Sequence, residues 1–371
     1  MMSDYSVETQ IFPVDPNQPD PQIIIRAAEV LRDQGLVAFP TETVYGLGAN
    51  ALDETAVSRI FAAKQRPFYD PLIVHIAHKT DIDFVAKDIP EIAFTLGENF
   101  WPGPLTLVLK RHERVAPNVS AGLGTVAVRM PNHSIPLDLI RAAGVPVAAP
   151  SANLFTRPSP TSAQHVLDDL GGHVDIILDG GPCPIGLEST VLDLTSDHPT
   201  ILRPGGAPAE ALKEIIPDLV LPEDKPMRDN ATAKPSPGMM LKHYSPKARF
   251  LLFKGSSATA VDQIREIARE LISQGYKIGL MVTDEDHLQF FGLRAEIERL
   301  GSQDDLPGIG QILFARMRSL DKKGVDFILM RSLPNEGLGL AIGDRLFKAA
   351  EQQVIDLDSM KDLSDISEIF S

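Results

Sequence analysis

The sequence predicts an α/β protein of two domains, and three observations carry that expectation. Short apolar runs that end in proline or polar turns alternate with amphipathic stretches at helical spacing along nearly the whole chain. A block rich in proline, lysine and small polar residues, Pro217 to Pro246, separates two such alternating regions as a linker does. The length, 371 residues, is enough for two ordinary cores.

Residues 1–21 are polar and rich in proline, and IIIRAAEVLRDQG then reads as an amphipathic helix ending at Gly35. Leu36 to Phe39 reads as a buried strand that Pro40 ends. The next residues, TETVYGLGANALD, set Thr41, Glu42, Thr43 and Tyr45 ahead of Gly46 and Gly48: hydrogen-bonding groups followed by positions where backbone can be approached closely. This is either a strand running into a site or a plain turn with polar decoration. A helix over Glu54 to Ala63 leads to KQRP, placing Lys64 and Arg66 at or just past a helix end, where cations complement the dipole.

PLIVHIA, from Pro71 to Ala77, is a short strand interrupted by His75, which suits a satisfied core histidine as well as a ligand group. In GTVAVRMP a strand alternates apolar residues with Thr125 and Arg129. A buried arginine needs a partner, and a carboxylate or phosphate ligand supplies one. VPVAAP leads into SANLFTRPSPTSAQHVLDDL, where Ser151 and Asn153 follow a strand as Thr41 and Thr43 do. Ser159 or Thr161 is the expected cap of a helix over Ser162 to Leu170. Two polar turns of similar build therefore follow two buried strands, and such strand ends are where α/β sheets bind ligands. Strands over Val174 to Leu178 and Thr190 to Leu194 bracket a loop with Gly186, Glu188 and Ser189, and LRPGG brings Arg203 beside two glycines.

After the linker come strands over Phe250 to Phe253, Lys277 to Val282 and Val325 to Met330, with helices over Ala258 to Gln274 and Ile309 to Lys322. That rhythm implies a small parallel sheet covered by helices. GLGLAIGDRLFKAA lacks a dinucleotide fingerprint in the right context. The net charge of -15 and pI near 5.0 argue against a wide nucleic-acid surface, which depends on neutralising phosphates. A single cysteine, Cys183, forms no intramolecular disulfide, and with no signal or membrane-spanning pattern the expected compartment is the cytoplasm. No internal repeat and no metal-ligand cluster stand out.

PTETVYGLGANA, KQRP, DPLIVHIA, WPGPLTLVLK, TVAVRMP, PVAAPSAN, RPSPT, GLESTVLD and LRPGG, in that order, resemble the Sua5/YrdC/YciO family. SPGMMLKHYSP and the second domain resemble its long Sua5 type. The resemblance implies a twisted mixed sheet with helices over residues 1–216, a linker or lid over 217–246, and a smaller Rossmann-like domain over 247–371. It implies synthesis of threonylcarbamoyl-AMP and pyrophosphate from L-threonine, bicarbonate and ATP, for a downstream transferase complex that modifies an adenosine of tRNA. Lys64, Arg66, Ser151 and Asn153 are then the catalytic tetrad. Arg66, Asp70, Thr125, Ser151, Ser159, Arg203, Leu241 and His243 would contact ATP, accompanied by Mg²⁺ held largely by phosphate oxygens and water. Thr43, His75, Arg129, Ala149 through its backbone, and Ser189 would hold threonine or its carbamate.

Two departures from the family pattern affect this assignment: Asp70 stands where asparagine is common, and Met240 and Leu241 replace part of a basic and aromatic linker motif. Rival readings are an RNA-binding module using Lys110, Arg111 and Arg114, and a carbamoyl transferase using carbamoyl phosphate.

Overall fold

A computed structural model describes residues 7–222 and 243–359, Ser256 excepted. The chain divides into two compact units, Met1–Phe155 with Ser159–Met240, and Thr156–Pro158 with Leu241–Ser371.

The first unit is built on one sheet of eleven strands: β1 (Gln10–Pro13), β2 (Val37–Phe39), β3 (Gly46–Asn50), β4 (Ile73–His75), β5 (Ala86–Lys87), β6 (Leu105–Arg111), β7 (Thr125–Arg129), β8 (Val147–Ala148), β9 (Ile176–Asp179), β10 (Thr190–Asp193) and β11 (Thr200–Arg203). Their spatial order is β1-β9-β2-β3-β8-β4-β7-β6-β10-β11, with β5 paired to β6. Parallel and antiparallel pairs both occur across it, the mixed sheet that the family resemblance implies. β1 lies inside the stretch that reads as a polar, proline-rich head; its parallel pairing with β9 comes from tertiary contact that local composition does not signal.

Helices Pro21–Arg32 and Ser134–Ala143 cover one end of the sheet, burying Ile24, Leu31, Ile135 and Leu139 against Val37, Phe39, Val147 and Ala149. The first of these begins with Asp20 accepting from the Gln22 N–H and with proline in its first turn. Helix Ala163–Leu170 is capped by Ser162, whose hydroxyl accepts from the His165 N–H, and not by Ser159 or Thr161 as the sequence suggests. Ser159 is instead turned to Glu188, which leaves the cap to the serine next to the helix.

The second unit has five strands, β12 (Arg249–Lys254), β13 (Ile278–Val282), β14 (Ala295–Arg299), β15 (Phe327–Arg331) and β16 (Val354–Asp356). All pair in parallel, in the order β14-β13-β15-β12-β16. The three apolar central strands are those the sequence announces. The two edge strands, AEIER and VID, are half exposed and carry charges, so they lack the continuous apolar run that marks a buried strand. Helix Leu306–Lys322 buries Ile309, Leu313, Phe314, Met317 and Leu320, an i, i+4 stripe that covers one face.

Candidate active site

The site is assembled along β4 and β7, where the turns that follow β2 and β8 and the start of β10 come together. Helix Glu54–Lys64 starts on Asp53, whose carboxylate accepts from the Thr55 and Ala56 N–H groups, and ends at Gln65, held in the left-handed conformation with φ 53°. That reversal turns both Lys64 and Arg66 inward. Lys64 Nζ donates to the carbonyl oxygens of Ser151 and Asn153, each at 2.5 Å, while the Ser151 hydroxyl donates to Asn153 Oδ1 at 2.5 Å. Gly46 bridges to Ser151, so the two polar turns read from the sequence meet side by side. A Cβ on Gly48 would lie 2.6 Å from the Phe39 ring and 2.8 Å from Val147; glycine is what lets β2, β3 and β8 close under these turns.

Arg66 pairs with Asp70 at 2.9 Å and donates to the Asp70 and Pro71 carbonyls. Burial pushes the Asp70 carboxyl above the usual carboxylate range, against the pull of Arg66, Lys64 and Arg203. Three cations therefore surround one carboxyl group, leaving an excess of positive charge at this end of the site. Arg203 donates to the Ser189 carbonyl at 2.9 Å and to its hydroxyl at 3.2 Å, and Ser189 shares a hydrogen bond with Thr106 at 2.7 Å. Ser159 donates to Glu188.

His75 stands opposite Arg129 in the β4/β7 register and opposite Val147 on β8, while the Ala149 N–H donates to the Ile73 carbonyl. His75 is fully buried beside the Ile73 and Val147 backbone, its Nδ1 makes no hydrogen bond of good geometry, and burial, with Arg129 close by, pushes its pKa down to about 3. It is neutral at physiological pH. Arg129 has the carboxylate partner that the sequence demands, and the chain itself supplies it: Glu42 lies 2.7 Å from Nη2. Arg129 also donates to the Thr43 hydroxyl at 2.9 Å and the Gly103 carbonyl at 3.2 Å. Thr125 lies on the same face of β7 at its opposite end, with Ala127, Ile73, Val108 and Val191 forming a small apolar cluster. Burial pushes the Cys183 thiol up to about 12, so it is no nucleophile at neutral pH.

The structure thus gathers Thr43, Lys64, Arg66, Asp70, His75, Arg129, Ala149, Ser151, Asn153, Ser189 and Arg203 around these strand ends, with Ser159 reaching the adjoining loop through Glu188. His243 is buried in the second unit, its ring 4.0 Å from that of Tyr244, and Leu241 lies outside the described residues. Glu42 and Glu188 are the members that a residue-by-residue reading leaves out. The signal for Glu42 is a carboxylate in a turn after a buried strand, in a chain that also carries a buried arginine.

The Lys110, Arg111 and Arg114 patch considered for RNA is engaged within the fold. Lys110 pairs with Asp88 at 3.2 Å, Arg111 donates to the Val115 and Leu123 carbonyls, and Arg114 stacks over Phe84.

A family model for Sua5, YciO and YrdC proteins, described as "Telomere recombination", matches residues 29–205, and one described as "Threonylcarbamoyl-AMP synthase, C-terminal domain" matches residues 208–351. A Pyrococcus abyssi protein named threonylcarbamoyl-AMP synthase is 45% identical over 332 residues, spanning 89% of this chain and 94% of the relative. This chain belongs to the Sua5/YrdC/YciO family. Its match to the second family model marks it as the long Sua5 type. A relative from Bacillus subtilis with the same name as the P. abyssi protein is 44% identical over 344 residues, 91% of this chain and 95% of its own. The crystal structure of P. abyssi Sua5 complexed with L-threonine superposes with a TM-score of 0.88 at 43% identity, covering 94% of this chain and 99% of that one. Among the described residues no helix is long and apolar enough to cross a membrane.

Proposed function

We propose that this chain is a threonylcarbamoyl-AMP synthase, joining L-threonine, bicarbonate and ATP into threonylcarbamoyl-AMP and pyrophosphate. The observation that carries this reading is the likeness, over nearly the whole of both chains, to a Sua5 structure that holds L-threonine. The geometry supports it with a division of labour. A cationic end, Lys64, Arg66 and Arg203 around Asp70, suits the phosphates of ATP. An end with Arg129, Thr43 and the neutral His75 suits an amino acid.

The threonine amine and bicarbonate condense to the carbamate with loss of water, and a carbamate oxygen then bonds to the α-phosphorus as the bond to pyrophosphate breaks. Such a step asks the protein for orientation and fixed positive charge, with no covalent nucleophile. Lys64 and Arg66 are held by backbone carbonyls and Asp70, so their charges are in place before substrate arrives. Thr125, Ser151, Asn153 and Ser159 would add hydrogen bonds to the nucleotide, and Ser189 and the Ala149 backbone to the amino acid. Leu241 and His243 would take part from the linker.

Mg²⁺ would accompany the triphosphate. Among the described residues no three His, Cys, Asp or Glu side chains converge on a metal position, and Asp70 faces cations, so the donors that fit are phosphate oxygens and water. When bound, the ion neutralises phosphate charge. The product, a mixed anhydride, suits transfer by a downstream enzyme complex onto tRNA, and the cytoplasm is the compartment we assign.

Mass spectrometry of the product formed from threonine, bicarbonate and ATP tests the reading. The expected species is threonylcarbamoyl-AMP, with pyrophosphate released only when all three are present. Pyrophosphate release indifferent to threonine would overturn it.

A further inference from the structure

We propose that Glu42 receives the α-ammonium group of the amino-acid substrate and so restricts the site to free, zwitterionic amino acids. The inference rests on the synthase reading and deepens it. Glu42 is 5% exposed and its carboxylate meets the Arg129 guanidinium, yet among the described residues neither oxygen receives a well-aligned hydrogen bond. Buried carboxylates ordinarily accept several. The missing donors are what an ammonium group, with three N–H bonds, brings.

The neighbour completes the argument. A guanidinium has five N–H donors. Arg129 directs one to Gly103, one to Thr43 and one side toward Glu42, which leaves capacity for a ligand carboxylate. A free amino acid carries its two charges on groups attached to one carbon. An adjacent buried arginine and glutamate, each with hydrogen-bonding capacity unfilled, present the complementary pair of charges side by side.

Among the described residues, the other titratable groups beside this pair are not anions. His75, beyond Arg129 on β4, is neutral; His133, at the start of helix Ser134–Ala143, is held low by burial; and Cys183 is a protonated thiol. The carboxylate in contact with Arg129 here is that of Glu42. The Glu42 backbone is fixed as well, its carbonyl accepting from the Ile185 N–H, so the carboxylate is presented from a constrained turn.

The test is calorimetric titration of the full-length protein with L-threonine, with 2,3-dihydroxybutanoate, in which a hydroxyl replaces the amino group, and with ATP. The unaltered protein should bind threonine at least about tenfold more tightly than the dihydroxy acid. Glu42→Gln should lose about tenfold or more for threonine, leave the dihydroxy acid unchanged or tighter, and leave ATP unchanged, the last serving as the folding control. Equal loss for both acids would confine Glu42 to holding Arg129 and overturn the proposal, as would equal binding of the two acids by the unaltered protein. Should Glu42→Gln fail to bind ATP, Glu42→Asp keeps the charge and must still weaken threonine more than its analogue. Absence of any threonine binding to the unaltered protein would instead defeat the synthase reading.

Discussion

Glu42 in the first unit and Glu298 in the second are glutamates buried alike, with side chains 7% and 8% exposed, and they are partnered very differently. Glu298 is surrounded: Lys323 donates to Oε1 at 2.8 Å, Ser319 to the same oxygen at 2.7 Å, and Arg316 to Oε2 at 3.0 Å. Burial disfavours its charge, but those contacts outweigh it and hold the carboxyl below the usual range. Glu42 has Arg129 and no aligned donor. A buried charge is thus no sign of a site by itself, since structural ion pairs are buried too. What distinguishes Glu42 from Glu298 is that its carboxylate shell is incomplete.

The largest effect expected is at Arg129. Arg129→Lys keeps a charge but loses the planar fork, so threonine-dependent turnover should fall by a factor of about 100 or more, with apparent threonine affinity falling further than ATP affinity. Steady-state kinetics with each substrate varied checks this; equal loss for both would make Arg129 structural in the manner of Glu298.

Next comes the Arg66–Asp70 pair. Removing Arg66 takes away the cation in contact with Asp70 and leaves Lys64 and Arg203 as its remaining positive neighbours, so Arg66→Ala should cost about 3 kcal/mol of first-unit stability in denaturant titration. Adding Asp70→Asn should restore most of that stability and none of the turnover. Recovery of turnover in the double variant would show that the arginine serves the fold alone.

Glu298→Gln should cost about 2 kcal/mol in the second unit and leave turnover of substrate-saturated enzyme unchanged. Because the folded carboxyl lies below its unfolded value, the stability it confers is present above the unfolded pKa and is lost as pH falls through the folded one. Melting temperature against pH should therefore drop on the acid side in the unaltered protein and flatten in the variant.

At neutral pH the smallest expected effect is at His75, and it grows only as the pH falls. With a folded pKa of about 3, it refuses a proton that the unfolded chain accepts near 6.5, so first-unit stability should decline as pH falls from about 6.5 toward 3. His75→Gln should remove that slope. Its imidazole signals should not titrate by NMR between pH 5 and 8.

Much of this was legible before any coordinates. Apolar runs ending at Pro40 and Pro150 announced buried strands feeding polar turns, and Lys64 and Arg66 at a helix end announced cations for phosphate. Pairings between distant segments were not legible. Neither Glu42 nor Arg129 reveals from its local sequence that a turn after β2 meets the end of β7, because sheet register decides it. Lys64 and Arg66 read as cations free for ligand; they also satisfy carbonyls of the turns they orient. The charged edge strands of the second unit escaped notice because exposure removes the apolar pattern on which the reading depends.

The strand β7 has one more consequence. Thr125 and Arg129 occupy the same face at its two ends, four residues apart, which in extended backbone is about 13 Å. The strand is a ruler: it fixes how far the cationic end stands from the amino-acid end, and a strand cannot be lengthened by a fraction of a residue. Sliding β7 by one position would turn Thr125 and Arg129 to the opposite face together. On the proposed reading, the spacing between nucleotide and amino acid would therefore be tuned through side chains and not by sliding the strand that carries them.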